Sequence, residues 1–399
     1  MSNPTVSSLS MPAGPGRVSS LPSGLWWGLW VVFLIAGAVG VYQRFTQGHL
    51  PAGYGSYVPW GLWVALYFHG VGIAGGAFLL GAGGYVLGLP GFRSRRLLRM
   101  TIVLAAAAIV PAFMGVWFDL GHMERSHRIF TSPSFTSMMA FNAWMYGAFM
   151  LIAIGCFFLS LRATPGDWLK PLLCLGILLC MLFPSQSGAF FGVVDAKPYW
   201  HSALLPVMFL TSALTAGGGV LLTVRSLLGS QDDPDTEEEH RSALRRLRYV
   251  VLVGLIAYLV FEFAELSIAF WNPTTHAPAV ELMLFGPYWW VFWIVHLLFG
   301  GLVPLVLLSG RSPSGWLLAG FLVAVTFVST RLNVLVPGQA VGEIRGLQEA
   351  FHHDRLRYIY HATPMEYLVG LFMLATGMAV FWIGQRLNRR LTSDTNASS

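Results

Sequence analysis

Long apolar runs separated by short polar stretches set the pattern of this chain. Stretches of roughly 18 or more residues without a charge are long enough to cross a bilayer's hydrocarbon at helical rise. Ten such stretches occur, at about 24–42, 59–88, 100–118, 138–161, 171–194, 203–224, 249–271, 285–309, 314–330 and 364–385. Strict alternation of the strand kind is not what separates them, so the pattern predicts an all-α, polytopic membrane protein with about ten transmembrane helices. Small residues recur four apart in the second run, at Gly72 and Gly76 and again at Gly84 and Gly88. That spacing lets helix backbones approach closely in lipid, and it predicts a tightly packed internal helix.

Composition agrees. Hydrophobic residues make up 55% and charged residues 11% of 399 positions, and the mean hydropathy is +0.63, where a soluble domain carries about 25% charged residues. Charge then orients the chain. Of 24 lysines and arginines, 16 fall on the side of the N-terminus, among them the cluster Arg93, Arg95, Arg96 and Arg99, and 8 fall opposite. Positive connections stay cytoplasmic, so both termini are expected there. The excess of cations reads as loops facing anionic lipid and requires no nucleic acid. Cys156, Cys174 and Cys180 all lie in apolar runs, without the spacing that holds an iron–sulfur cluster or a covalent haem.

Residues 1–22 are rich in Ser, Pro and Gly and read as a disordered cytoplasmic tail, ahead of a membrane domain over 23–388 and a second tail over 389–399. The stretch 229–248 runs from acidic to basic and reads as a solvated cytoplasmic linker. On the outer side, 331–366 is the longest exposed connection, too long for a tight helical hairpin and suited to packing over the bundle or meeting a partner.

An ionisable group kept in hydrocarbon costs a few kcal/mol and is a functional candidate by default. With the N-terminus inside, His69, Asp119, His122, Glu262, Glu265, Arg331, Asn333, Tyr360 and Glu366 all fall toward the outer face, while His296 lies near the middle of the eighth run. Each has a plainer reading: His69 as a hydrogen bond to a neighbouring helix, Asp119 as a turn acceptor, the loop histidines as solvated. Glu262 and Glu265 are one helical turn apart, and two carboxylates on one apolar face repel unless a cation such as Arg331 answers them. Quinone chemistry suits such a set, because it needs an apolar slot, partners for the ring oxygens and a titratable group for two protons. A proton or small-ion transporter is the alternative, although it favours groups at the midplane. A haem held by His69 and His296 is a third reading.

The stretches "YVPWGLWVALYFHGVGIAGGAF", "FDLGHMERSHRIFTSPSF", "RLNVLV" and "YHATPMEYLVGL" together resemble the NrfD-like integral membrane subunits, in their ten-helix HybB or DsrP form. The resemblance covers about 55–385. It implies two four-helix bundles plus flanking helices, a first over about 59–194 and a second over about 203–330, with a last helix at 364–385. It also implies an anchor subunit of a respiratory or sulfur-metabolism complex in a bacterial inner membrane, with no haem or iron–sulfur cluster of its own. Such a subunit exchanges electrons between menaquinone or ubiquinone and a periplasmic ferredoxin-like iron–sulfur subunit, with a multihaem cytochrome c as a further partner. Carried over, Asp119, His122, Arg331, Asn333, Tyr360 and Glu366 would line the quinone headgroup, with His69 on the helix beside it. Glu262, Glu265 and His296 match no motif and are expected to relay protons. Arg331 is expected to hold Asp119 or a glutamate ionised.

Overall fold

The computed structural model describes residues 23–162, 166–229, 237–271, 276–344, 346, 350, 353 and 356–397. The tail 1–22 and residues 230–236 of the charged linker lie outside them. Among the described residues there are ten helices long and apolar enough to cross a membrane. They are α1 (Ser23–Gln47), α2 (Leu62–Val86), α3 (Arg95–Asp119), α4 (Met138–Leu161), α5 (Leu169–Gly192), α6 (Leu205–Leu228), α7 (Glu237–Trp271), α8 (Val291–Ser309), α9 (Pro313–Ala340) and α10 (Pro364–Ala397). The protein is an all-α polytopic membrane protein.

Helices α2, α3, α4 and α5 pack on one side and α6 to α9 on the other, and α2 lies along α6 between them. The glycines explain that seam. A Cβ on Gly76 would stand 1.9 Å from the Ala213 carbonyl oxygen, and one on Gly217 would stand 2.3 Å from the Ala77 nitrogen, so the two backbones touch. Gly88 behaves differently from its expected role in packing. Its φ is +63° with open space around it, so it turns the chain after α2 has ended. Helix α1 pairs with α10, and the pair rests on α3.

Two helices depart from the expected limits. The ninth runs on to Ala340, so Arg331 and Asn333 sit inside it, roughly 13 Å and 10 Å from its C-terminal end, and not at that end. Their polarity breaks the hydropathy window, but both are buried against other helices and the helix continues past them. The connection from α9 to α10 is accordingly shorter than 331–366. Helix α9 is also interrupted. Thr326, Ser329 and Thr330 turn their hydroxyls back onto the carbonyls of Leu322, Thr326 and Phe327, and the α-helix stops at Thr326 and restarts at Val328. Helix α8 opens as π-helix over Val291–Leu302 and returns to α over Val303–Ser309. Pro304 lies at that change, where a residue without an N–H loses least. Helix α10 likewise extends beyond 385, to Ala397.

Candidate functional site

At the end of the molecule where α3 stops and α2 and α10 begin, five elements meet. Asp119 is the last residue of α3. Arg44, buried at the end of α1, donates through Nε to the Phe118 carbonyl (2.7 Å) and through Nη2 to that of Leu120 (2.8 Å). A cation suits these free carbonyls at a helix C-terminus. His49 shares the Phe118 carbonyl at 3.2 Å. A carbonyl only accepts, so the ring carries its proton on Nε2, and burial pushes the imidazole below its ordinary value of 6.5.

Tyr54 stands between His49 and Trp63, with ring centroids 5.4 Å and 5.9 Å away, and Trp63 rests against Phe118. Burial, then the charges of Asp119 and Glu366, hold the Tyr54 hydroxyl protonated far above its usual range. Neither the Tyr54 hydroxyl nor Oδ1 of Asp119 has a hydrogen-bond partner, although both atoms are buried. An unmade bond at a buried donor or acceptor costs about 1–3 kcal/mol, so each such pair asks for an explanation.

Glu366 and Tyr360 form the wall behind them. Glu366 is the third residue of α10, and its Oε2 reaches back to accept from the N–H (3.0 Å) and hydroxyl (3.2 Å) of Thr363, satisfying a donor at the start of the helix. The same oxygen accepts from the Gly53 N–H (2.9 Å). Tyr360 donates its hydroxyl to Oε1 and accepts from the Leu62 N–H at 2.8 Å. Both side chains are thereby spent on tying the loop before α2 to the loop before α10. His122 does not join them. It is exposed and bonds Glu124 at 3.0 Å within its own loop, because the chain leaves α3 at Leu120 and turns outward.

A second group lies deeper, between α7, α8 and α9. His296 is fully buried, with Nε2 2.7 Å from Oε2 of Glu262 and Nδ1 3.2 Å from the Ser329 hydroxyl. Ser329 gives its own proton to the Thr326 carbonyl at 2.5 Å, so it must accept from Nδ1–H. Nε2 and Glu262 then share one proton between them, as carboxyl and imidazole or as carboxylate and imidazolium. Tyr258 donates to the other oxygen of Glu262 at 3.2 Å. Glu265 accepts from Ser202 at 2.7 Å, while its Oε1 and Nδ2 of Asn333 are buried without partners. These two side chains, with Glu262, Tyr199, Tyr258 and Thr330, line a cavity of about 20 Å³, room for about one bridging water.

Arg331 corrects the expectation made of it. Its Nη2 donates to the Ser212 hydroxyl (2.7 Å) and the Phe209 carbonyl (3.3 Å), and its guanidinium lies 3.9 Å from the Phe209 ring centroid. It forms no ion pair with Asp119 or a glutamate, because its place about two and a half turns before the end of α9 faces α6. His69 donates from Nε2 to the Ala324 carbonyl at 2.8 Å, one of the acceptors that the break in α9 releases. The ten expected residues therefore divide. Asp119, Tyr360 and Glu366 meet at the helix ends; Glu262, Glu265, His296 and Asn333 meet inside the second bundle; His69 and Arg331 lie in the seam between; His122 stands apart. Sequence reasoning missed Arg44, His49 and Tyr54. Arg44 carries the one available signal, a cation closing an apolar run; Tyr54 carries none.

A ten-helix membrane protein that keeps an acid and a phenol unsatisfied beneath one face, and a proton-sharing carboxylate–imidazole pair within a bundle, is the class defined by fold and site. The chain belongs to the polysulphide reductase, NrfD family, whose model matches residues 52–343. It is similar to a selenate reductase subunit of Mesobacillus selenatarsenatis, 26% identical over 87% of this chain and 90% of that protein. It is also similar to the Hdr-like menaquinol oxidoreductase integral membrane subunit of Archaeoglobus fulgidus, 25% identical over 90% and 91%. Protein NrfD of Escherichia coli is 23% identical over 53% of this chain and 71% of its own length.

Proposed function

We propose that this chain is the quinone-interacting membrane subunit of a redox complex, with the ring bound at the outer ends of α2, α3 and α10. The unpartnered Tyr54 hydroxyl and Asp119 carboxyl carry this reading. One is a donor suited to a quinone carbonyl, and the other an acceptor suited to a quinol hydroxyl. Trp63 and Phe118 pack beside them. The relatives' names point the same way, since one is a menaquinol oxidoreductase subunit and another belongs to selenate reductase.

In quinol oxidation two O–H bonds break and two electrons leave to a redox partner. Asp119 takes the first proton as base, and His49, through its free Nδ1, is placed to take the second. Tyr54 holds the oxygen that becomes a carbonyl. Quinone reduction runs these steps backwards. The electrons pass to or from an iron–sulfur subunit docked on the outer, periplasmic face of a bacterial inner membrane, with a multihaem cytochrome c beyond it in some assemblies. Glu262 and His296, with Glu265 across the small cavity, form a separate proton relay in the second bundle, and both termini lie in the cytoplasm.

Titrating the purified chain with a quinone-analogue inhibitor tests the assignment. Binding in the micromolar range is expected, weakened about fivefold by Tyr54→Phe, the net worth of one hydrogen bond. In the assembled complex Asp119→Asn is expected to lower quinol turnover by about 10²-fold or more, the usual share of a general base. Binding unaffected by Tyr54→Phe, together with turnover unaffected by Asp119→Asn, would remove the ring from this place. Absence of binding, with ion uptake into vesicles, would favour a transporter.

A further inference from the structure

The small cavity of the second bundle has a cover and a floor. Its cover is the connection between α5 and α6, where Tyr199 donates to the Asn333 carbonyl (3.1 Å), Trp200 to that of Val334 (2.8 Å) and Ser202 to Oε2 of Glu265 (2.7 Å). The Trp200 ring stacks on that of Trp60, with centroids 6.3 Å apart, so the cover lies at the end of the molecule where α2 begins. Ser202 is half-buried between exposed His201 and Ala203. Its hydroxyl therefore stands between solvent and Glu265.

Beneath the cover, two buried atoms of opposite kind border one space. Oε1 of Glu265 is an acceptor without a donor, Nδ2 of Asn333 is a donor without an acceptor, and the two residues are 6% and 4% exposed. A room of about 20 Å³ takes one water, which satisfies both by accepting from the amide and donating to the carboxylate. Glu262, three residues before Glu265 on α7, borders the same room, so the second hydrogen of that water has an acceptor there.

Charge fixes the capacity. Two carboxylates beside a neutral imidazole would carry two negative charges; the proton that Glu262 and His296 share leaves one, and a second proton neutralises the group. Held on the pair, that proton makes a carboxyl and an imidazolium, one water away from the Glu265 carboxylate, whose opposite charge favours it. Past His296 the surroundings change. Leu255, Val251, Val323 and Ala319 are fully buried in one apolar core. The hydroxyls of Thr215, Thr223 and Thr326 each donate to the carbonyl four residues earlier in their own helix.

Resting on the proton-relay reading of these residues, we propose that the second bundle is a store for one proton, open only at the end where α2 begins, with a single water between Glu265 and Asn333 as its link. No electrons move. A proton arriving on Oε1 of Glu265 passes to the water as the water releases another to Glu262, and it leaves by the same way. Protons from the ring and from the store then reach the same face, and turnover carries none across the membrane through this bundle.

Two measurements on the full-length protein test this. A structure that resolves waters is expected to place one within hydrogen-bond reach of Oε1 of Glu265 and Nδ2 of Asn333; a dry cavity, or a cation in it, overturns the proposal. In sealed vesicles of one orientation, the infrared bands of Glu262, identified by their loss in Glu262→Gln, report loading. They are expected to follow the pH on the side of Ser202 and not the pH on the other side. The response should be lost in Glu265→Gln and slowed about 10²-fold in Asn333→Leu, the share of a positioned transfer group. Loading from the opposite side or from both overturns the proposal, as does a response in Asn333→Leu as fast as in the natural chain. Sidedness is read on the natural chain, so the folding of the variants does not bear on it. Quinone-analogue binding to the same vesicles separates the two readings: one-sided loading without binding removes the ring and leaves the store, and binding with two-sided loading does the reverse.

Discussion

Asp119 and Glu366 sit in one cluster, yet only one of them is free for chemistry. Glu366 accepts from Gly53, Thr363 and Tyr360, so its oxygens are committed to structure. Asp119 keeps Oδ1 unbonded, because the cation nearest to it, Arg44, is turned to the backbone carbonyls that end α3. No spacing in the chain distinguishes these two acids; hydrogen-bond accounting does. His49 gives a pH prediction at the same scale. Its pKa lies below the ordinary 6.5 in the folded protein, so the unfolded chain binds more protons just below pH 6.5 and stability falls as pH drops through that region. The melting temperature in detergent should therefore decline below pH 6.5, with a shallower slope in His49→Gln. An unchanged slope would mean that His49 is not held neutral.

At the scale of the helix, the interruption of α9 accounts for a residue that sequence placed beside a headgroup. His69 donates to Ala324 just where the α9 ladder is broken, so its place is explained by backbone satisfaction alone. His69→Ala is expected to cost about 1–3 kcal/mol of stability, while inhibitor affinity per folded molecule stays within about twofold. A loss of affinity at full stability would return His69 to the ring. The same element shows why Arg331 and Asn333 looked like an outer boundary. Hydropathy counts each polar residue against the membrane, but a guanidinium bonded to Ser212 and stacked on Phe209 is shielded by protein. The run of Thr and Ser around Phe327 was visible in the chain, but that their hydroxyls would bend the helix there depended on what His69 and His296 could bond in return.

For the whole molecule, close approach of α2 and α6 holds the two bundles together. Gly76→Ala would place a methyl group 1.9 Å from the Ala213 carbonyl oxygen, and since this neighbour is backbone the helices must part. A loss of at least 2 kcal/mol is expected, in the range of overpacked cores, about 1–3 kcal/mol or more, read as a lowered melting temperature. Gly83→Ala, with open space about it, serves as the neutral control. Topology is a second expectation at this scale. Reporters fused at the C-terminus should read as cytoplasmic and those in the 120–137 loop as external, as the 16-to-8 division of basic residues implies. The reverse result would turn the proposed quinone end toward the cytoplasm.

The chain by itself determined that it crosses a membrane about ten times, that α2 is a tightly packed internal helix, and which polar residues hydrocarbon would not tolerate without a reason. Those properties follow from composition and local period, because lipid penalises every unsatisfied group wherever it lies. Which polar groups meet was decided only by tertiary structure. Arg44 of α1 reaches the end of α3 that carries Asp119, and His296 of α8 meets Glu262 of α7, and whether a side chain is spent on backbone or left open depends on partners that only packing supplies.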